Sequence, residues 1–383
     1  MRHFGAKSFK TVLVLVAFGV VAATCSGSSE SIDDDNDINA DVETSLAACP
    51  NPIVVQTDWF PEPEHGALYN LTGGEGSVDP ESGRFTGPMV ADPSVDLEIR
   101  AGGPFIGDQT TTALMATDDD ILLGYVDTDI AIQNYDRFPT TAVVAPLDLN
   151  PTVIMFDPAT YDLETWDQVA ETEATIAHFA TDLWIEYLVG ARLVEADQLD
   201  GSYDGSPTRF VAEEGALIQQ GFATQEPFNY ENVFSEWGRP VETLMVHAAG
   251  YENYAGPLAV LNERLEDPGV RDCLTALVPI FQESIITYQQ SPTATNEAIL
   301  TAVEDLDSFW ELSEDSVNYS VRTMGELSIV GNGRDTTVGN FDLDRVDELI
   351  VLIDDNVESV DVPDLLTAED IVTNEFIDED IGF

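Results

Sequence analysis

Two short stretches of the sequence concentrate side chains suited to binding a planar molecule. Asp58–Tyr69 carries an indole, an imidazole and a phenol, and Gly221–Pro227 carries a phenyl ring and a carboxylate. An indole provides a flat apolar wall with one N–H donor, neutral imidazole donates or accepts, and a carboxylate can take two N–H donors from an aminopyrimidine edge in bidentate fashion. We therefore interpret five residues as candidate ligand contacts: Trp59, His65, Tyr69, Phe222 and Glu226.

Each of these residues also has a structural explanation. Trp59 follows a predicted strand and is equally compatible with burial in a core. A lone histidine such as His65 is more often a structural hydrogen-bonding group than a ligand contact. Tyr69 lies four residues after His65 and so on the same helical face, where packing explains it as well. Glu226-Pro227 is also typical of a turn.

Two further polar segments lie beside predicted elements. Gly107–Thr111 precedes a short helical pattern, so its backbone N–H groups and polar side chains, Asp108 among them, can face a cleft. Thr128 lies in the segment Asp127–Asp129, at the carboxyl end of a predicted strand, where open α/β sheets place ligands. We count Asp108 and Thr128 as candidate contacts. Helix capping is the alternative for both segments and the preferred explanation for Asp129.

The sequence lacks the patterns that common enzyme classes require. Both lysines lie in the first ten residues, so no lysine remains to form a Schiff base once a leader is removed. His65, His178 and His247 are far apart, and no HExxH or CxxC pattern indicates a zinc site. No G-x-S-x-G elbow indicates a serine hydrolase. We therefore expect a protein without enzymatic activity, cofactor or metal.

The charge balance excludes nucleic acid as a partner. The chain has 72 Asp and Glu against 14 Lys and Arg, for a formal net charge of −58, and a polyanion would be repelled. With 44% apolar residues the chain is nevertheless expected to be globular. So acidic a surface stays soluble where about 1 M salt screens charges beyond roughly 3 Å, which indicates a saline habitat.

The beginning of the chain is typical of an export signal. A basic start is followed by an apolar run, Val12–Ala23, that is shorter than a membrane-spanning helix. We predict a signal peptide over 1–24, lipidation of Cys25 and an acidic, disordered tether over 25–48. The alternative is a plain signal peptide that leaves Cys25 as a free thiol. Cys49 and Cys273 are then an even pair in an oxidising compartment, where a disulfide between them is expected.

Apolar segments of strand length alternate with segments of helical period. Strands are predicted at Ile53–Gln56, Ile121–Val126, Thr141–Ala145, Thr152–Phe156, Phe210–Ala212 and Thr243–Val246. Helical patterns cover Thr175–Val189, Leu258–Leu265, Val270–Tyr288, Asn296–Trp310 and Leu343–Ile353. Alternation of this kind predicts an α/β fold with mainly parallel sheets.

The segment Asp58–Tyr69 resembles the opening motif of a family of solute-binding proteins of ABC transporters. That family includes binders of thiamine-precursor pyrimidines, riboflavin-type molecules, nitrate and alkanesulfonates, and its motif has Asp-Trp, a Pro, a His-Gly pair and a Tyr in this order. Leu122–Asp129 and Gly221–Pro227 resemble two further motifs of the family. The resemblance covers nearly the whole exported part of the chain.

This resemblance implies a type II periplasmic-binding-protein fold, with two α/β lobes joined by a two-strand hinge and a ligand cleft between them. Residues 49–144 and 246–383 are then lobe 1, and residues 145–245 are lobe 2. We expect the chain to cross between lobes near Ala145–Leu147 and again near Arg239–Val241.

The implied function is that of a monomeric, lipid-anchored protein on the outer face of the cell membrane. It would bind a small molecule by lobe closure and deliver it to an ABC permease. Glu226 disfavours an anion, because no lysine and few arginines are present to neutralise it. A planar heterocycle such as a thiamine-precursor pyrimidine is therefore expected, with a nitrate, taurine or sulfonate binder and a ligand-sensing surface lipoprotein as the alternatives. Pyrimidine synthases of the thiamine pathway share the fold but use a lysine-bound pyridoxal phosphate and a cysteine-rich motif, both missing here.

Overall fold

Two β-sheets form the framework of the molecule. The computed structural model describes residues 46–107 and 109–383. The strands are β1 (Ile53–Gln56), β2 (Ser77–Asp79), β3 (Arg84–Pro88), β4 (Asp96–Arg100), β5 (Leu123–Tyr125), β6 (Thr140–Val144), β7 (Thr152–Phe156), β8 (Ile176–Ala177), β9 (Leu199–Asp200), β10 (Ile218–Phe222), β11 (Glu242–Met245) and β12 (Leu258–Leu261). The first sheet has the strand order β2-β3-β4-β1-β5-β12-β6, and the second has the order β11-β7-β10-β8-β9.

Helices pack against both sheets, and the longest lie in the last third of the chain. They are α1 (Gly66–Asn70), α2 (Thr111–Met115), α3 (Thr128–Asn134), α4 (Trp166–Ala170), α5 (Leu183–Gly190), α6 (Thr208–Ala212), α7 (Glu226–Asn232), α8 (Pro268–Gln290), α9 (Thr293–Leu306), α10 (Glu314–Glu326), α11 (Leu343–Asn356) and α12 (Ala368–Ile371). Within the described residues, no helix has the length and apolar character needed to cross a membrane.

The centre of the first sheet is parallel and buried. β1 pairs in parallel with β4 on one side and with β5 on the other, and all four of its residues are buried. Strands buried on both faces are expected to be continuously apolar, as Ile53-Val54-Val55 is. The loops that follow β1 and β5 therefore leave the sheet at the same edge, which places Asp58–His65 beside Asp127 and Thr128.

The second sheet is mixed. Its central strand β10 pairs in parallel with β8 and antiparallel with β7, and β11 extends the sheet beyond β7. The loops after β8 and β10 leave this sheet at one edge. They carry the segments that begin with His178 and Ala223.

The chain passes between the sheets twice. It leaves the first sheet after β6, over residues 145–151, and returns between β11 and β12, over residues 246–257. The first passage begins at the predicted position, Ala145–Leu147. The second was predicted at Arg239–Val241 and this is wrong, because β11 follows that segment and still pairs with β7. A proline beside a strand is compatible with a sheet edge, and β11 is an edge strand.

Three element predictions were also wrong in type. Phe210–Ala212 lies in α6, Leu258–Leu265 begins with strand β12, and Thr175–Val189 contains both β8 and α5. Short apolar runs satisfy the helical and the strand period equally well. Pairing decides the matter for β12, which lies between β5 and β6 and is buried on all four residues.

The core of the first sheet begins earlier than the expected boundary at Cys49. Leu46 is fully buried among the core residues on this sheet, and its carbonyl accepts from the Cys49 N–H at 2.9 Å. Cys49 and Cys273 form a disulfide bond, which ties this entry segment to helix α8 over a separation of 224 residues. The bond therefore fixes the beginning of the described chain to its longest helix.

We predict that a Cys49→Ser/Cys273→Ser double variant is markedly less stable than the wild type. Closing a loop of this length removes chain entropy from the unfolded state worth about 5 kcal/mol in the loop-entropy treatment. Urea unfolding of both proteins measures the difference. Mass spectrometry of the non-reduced wild type checks that neither Cys49 nor Cys273 is a free thiol. Equal unfolding midpoints would contradict the prediction.

Candidate functional site

The two sheets meet where the loops after β1 and β10 come together. The Thr224 hydroxyl, on the loop after β10, donates a hydrogen bond to Glu64 Oε1, on the segment after β1. Helix α10 fastens the same loop, because Ser320 Oγ donates to the Thr224 carbonyl at 2.8 Å and Gln225 Nε2 donates to Ser320 Oγ at 3.1 Å. Polar groups from both sheets thus converge at this contact.

Four acidic side chains gather at this point, and we call Asp58, Glu62, Glu64 and Glu226 the carboxylate cluster. Glu62 and Glu64 are only 6% and 5% exposed, Glu226 is half-buried and Asp58 lies at the rim. Among residues 46–107 and 109–383, no arginine forms an ion pair with any of the four. The imidazole of His65 is the basic group in contact with them.

Burial and mutual repulsion favour the protonated forms of the cluster. Burial, followed by the charges of Glu64, Asp58 and Glu226, raises the pKa of Glu62 well above its ordinary value. Burial also raises the pKa of Glu64, against the opposing effect of the Thr224 hydrogen bond. Burial raises the pKa of Glu226 to about 7, opposed by the Phe222 N–H and reinforced by Glu64.

His65 is 2% exposed and lies between the cluster and the first sheet. Its Nε2 is 2.9 Å from Asp58 Oδ1 and 3.7 Å from Glu62 Oε1, and its ring meets that of Tyr125 edge-on with centroids 4.7 Å apart. No described group forms a hydrogen bond with His65 Nδ1, Tyr125 Oη or Glu64 Oε2, although all three atoms are buried. Buried polar atoms are normally paired, so these three are free to accept a partner that the protein does not supply.

Glu226 begins helix α7 and is held against its own strand. Its Oε2 accepts from the Phe222 N–H at 2.6 Å. A side chain at Gly221 would clash with it, because a Cβ there would lie 2.8 Å from Glu226 Cγ. One carboxylate oxygen is therefore already engaged by the backbone, which leaves the other for a further partner.

Aromatic rings border the cluster on the side of the first sheet. Trp59 and Trp310 meet edge-on with centroids 5.9 Å apart, and Phe60 and Phe309 do so at 5.5 Å. The Trp310 indole N–H donates to the Pro61 carbonyl at 3.1 Å, one residue before Glu62. The helical pattern predicted over Asn296–Trp310 runs too far, because α9 ends at Leu306. Trp310 lies in the connection between α9 and α10, 251 residues after Trp59, and no motif marks it as a site residue.

Of the other predicted contacts, Tyr69 and Thr128 are buried and are engaged by neighbouring protein groups. Tyr69 is 2% exposed, and its ring packs edge-on against Phe85 at 5.0 Å in the core of the first sheet. Thr128 is fully buried, and its hydroxyl accepts from the Tyr254 N–H at 3.0 Å. Phe222 is half-buried beside Glu226. Asp108 lies outside the described residues, as does Cys25.

A second acidic group, Asp127, Asp129 and Asp182, lies toward β8. The sequence marked Asp127–Asp129 at the end of a predicted strand, but it marked Asp182 by nothing beyond the general acidity. Burial and the charge of Asp129 raise the pKa of Asp127 well above its ordinary value. Burial raises the pKa of Asp182 to about 6, against hydrogen bonds from Gln220 and Trp184. Asp129 accepts from the Tyr251 hydroxyl at 2.8 Å and from Asn253 Nδ2 at 3.2 Å. These carboxylates, unlike the cluster, are well supplied with donors.

Acidic residues alone do not make a metal site here. Over the described ranges, no group of three or more His, Cys, Asp or Glu side chains has an arrangement that could hold a metal ion. The cluster therefore has the charge for a cation but not the geometry for a bare metal.

Comparison with solved structures gives the fold. The chain is similar to the ligand-binding component of an ABC-type import system from Staphylococcus aureus, solved with zinc bound, at 14% identity and a TM-score of 0.51, over 85% of this chain and 97% of that one. It is also similar to a Bordetella bronchiseptica protein, at 10% identity and a TM-score of 0.55, over 85% and 96%. No protein-family model and no curated protein matches. The chain has the α/β periplasmic-binding-protein fold, as its sequence predicted.

We predict that the cluster destabilises the ligand-free protein as pH rises. Glu226 has a folded-state pKa of about 7 against an ordinary value of 4.5, so between these values the folded state keeps a proton that the unfolded state releases, and stability falls with increasing pH. The upper limit of this effect is about 3 kcal/mol.

The matched pair Glu226→Gln and Glu231→Gln tests this. Both remove one charge from α7, but Glu231 is exposed. Unfolding midpoints between about pH 5 and pH 8 are expected to show Glu226→Gln as the more stable protein at the upper end, with a flatter pH profile. Identical pH profiles for the two variants would show that ionisation of Glu226 does not lower the stability of the folded protein.

Proposed function

We propose that this protein is the extracytoplasmic substrate-binding component of an ABC importer, and that it binds a small planar heterocycle by closing its two lobes. The observation that supports the proposal is the meeting of two loops: Glu62, Glu64 and His65 follow β1, and Thr224 and Glu226 follow β10. Trp59 and Phe222 belong to the same two segments. Ligands of open α/β sheets lie outside the carboxyl ends of the strands, and these residues follow β1 and β10.

The proposed mechanism is a two-step capture. Ligand first binds to the first sheet through Trp59 and His65, and the second sheet then brings Phe222 and Glu226 over it. The Thr224–Glu64 hydrogen bond is the type of contact that a closed form gains and an open form lacks. The ligand shifts the equilibrium only as far as its extra contacts in the closed form allow.

The charge of the site favours a neutral or cationic ligand over an anion. An anion would enter beside Glu62, Glu64 and Glu226 without a lysine or arginine to offset the cost of its desolvation. The nitrate, taurine or sulfonate alternative therefore requires these carboxylates to be protonated or displaced. Sensing without transport stays a second alternative, and neighbouring genes for a permease and an ATPase, rather than a sensor kinase, would favour transport.

The proposed setting is the outer face of the cell membrane. A signal peptide over 1–24 and a lipidated Cys25 would anchor the chain, with the acidic tether between anchor and fold. The proposal includes no catalytic role, in keeping with the absence from the sequence of the enzyme motifs considered above. In this proposal the protein is a monomer that docks on the permease.

A thermal-shift screen at high salt tests the proposal with thiamine precursors, flavins, nitrate and taurine. A ligand at 100 times its dissociation constant adds about 2.7 kcal/mol to stability. We expect a shift with a heterocycle, and Glu226→Gln is expected to weaken its binding by more than tenfold because a charge-assisted bond is lost.

Glu231→Gln is the control, since it removes an equal charge from an exposed position of the same helix, and its affinity is expected to match the wild type. A shift confined to nitrate or taurine would instead support the alternative ligand class. Wild-type affinity in Glu226→Gln would remove this residue from the site.

A further inference from the structure

The ligand's charge can be inferred from what the cluster lacks. The cluster's described surroundings contribute one imidazole, His65, and no arginine ion pair, while three carboxylates lie close enough to raise one another's pKa. Burying charges of one sign without a partner is costly. A ligand that brings positive charge would reverse this cost on binding.

Unpaired buried atoms at and beside the cluster distinguish it from a fully satisfied structural network. Three atoms of nine-tenths-buried residues, Glu64 Oε2, His65 Nδ1 and Tyr125 Oη, have no hydrogen-bond partner among the described groups. They come from neighbouring parts of the site, since His65 follows Glu64 and its ring contacts Tyr125. A carboxyl oxygen, an imidazole nitrogen and a hydroxyl in this arrangement leave hydrogen-bonding capacity for a group that enters from outside the protein.

Resting on the proposed function, we infer that the ligand is a small organic cation, and that its ammonium or alkylammonium group lies among Glu62, Glu64 and Glu226 with the rings of Trp59 and Trp310 beside it. Aromatic faces attract such cations through the ring quadrupole, most strongly where water is excluded. Since no group of described side chains has an arrangement that could hold a metal ion, an organic cation suits the site better than a bare metal.

Matched probes separate charge from shape. Choline and 3,3-dimethyl-1-butanol have nearly the same shape, and only choline is charged; putrescine and 1,4-butanediol form a second pair. Isothermal titration calorimetry of the full exported chain at about pH 8 is expected to show at least tenfold tighter binding of the cation in one pair or both. Because choline has a fixed charge, its affinity is expected to fall toward about pH 5.5 as Glu62, Glu64 and Glu226, which face Asp58 and His65, gain protons.

Variants then locate the cation. Glu62→Gln and Glu226→Gln are each expected to weaken cation binding about tenfold or more, while Glu231→Gln changes it less than twofold. Circular dichroism confirms that each variant is folded before its affinity is compared. Equal losses in Glu231→Gln would indicate a general effect of surface charge and would overturn the inference.

The outcomes distinguish this inference from the proposed function. If a neutral heterocycle, nitrate or taurine binds and neither cation does, the inference of a cationic ligand is wrong, while the proposed function as a substrate-binding protein is supported. If each neutral compound binds as tightly as its charged partner, the same conclusion follows. If no compound of either panel binds at millimolar concentration, both the cation and the proposed substrate class are overturned.

Discussion

The burial of Glu62, Glu64 and Glu226 without a cationic partner is the constraint on which the site depends. Carboxylates in such a setting either take up protons or attract a positive partner. Repulsion among them also opposes the approach of the two sheets, because Glu226 follows β10 and the other two follow β1. The Thr224–Glu64 hydrogen bond and the Ser320 contacts hold the loops together against this repulsion. A positively charged ligand, if bound here as proposed, would therefore relieve the same repulsion that opposes the approach of the two sheets.

A disulfide bond and a close backbone contact constrain the framework around the cluster. Helix α8 packs on the first sheet and is tied through Cys273 to Cys49, just before β1. Gly221 has no side chain, which leaves room for Glu226 to lie against β10. Functional groups held in an unfavourable electrostatic state require such support from their surroundings, and natural sites commonly sacrifice stability for function in this way.

The sequence predicted the α/β fold and, only in outline, the site. Its prediction of mainly parallel sheets was wrong, because most strand pairs among the described residues are antiparallel. Ile53–Gln56 and Thr152–Phe156 were predicted as strands and are β1 and β7, because β-branched residues favour strands and neighbouring turn residues bound both runs. Leu258–Leu265 was misassigned because its apolar run fits either period until β5 and β6 pair with it. Trp310 and Asp182 reach the site only through tertiary packing. In a chain with 72 acidic residues, no local pattern separates a buried carboxylate from an exposed one.

The same acidity explains why recognition would need buried charge. In concentrated salt the exposed carboxylates of this protein are screened within about 3 Å at 1 M, so they can neither steer nor select a ligand. Charges withdrawn from solvent are screened far less and act more strongly across a low-dielectric contact. Glu62 and Glu64 are nearly hidden from solvent, so salt screens their charges less than that of Asp58 at the rim once a cation favours their ionised forms. In concentrated salt, a cationic ligand would therefore be selected by the buried carboxylates between the two sheets, because salt screens the charges on the surface.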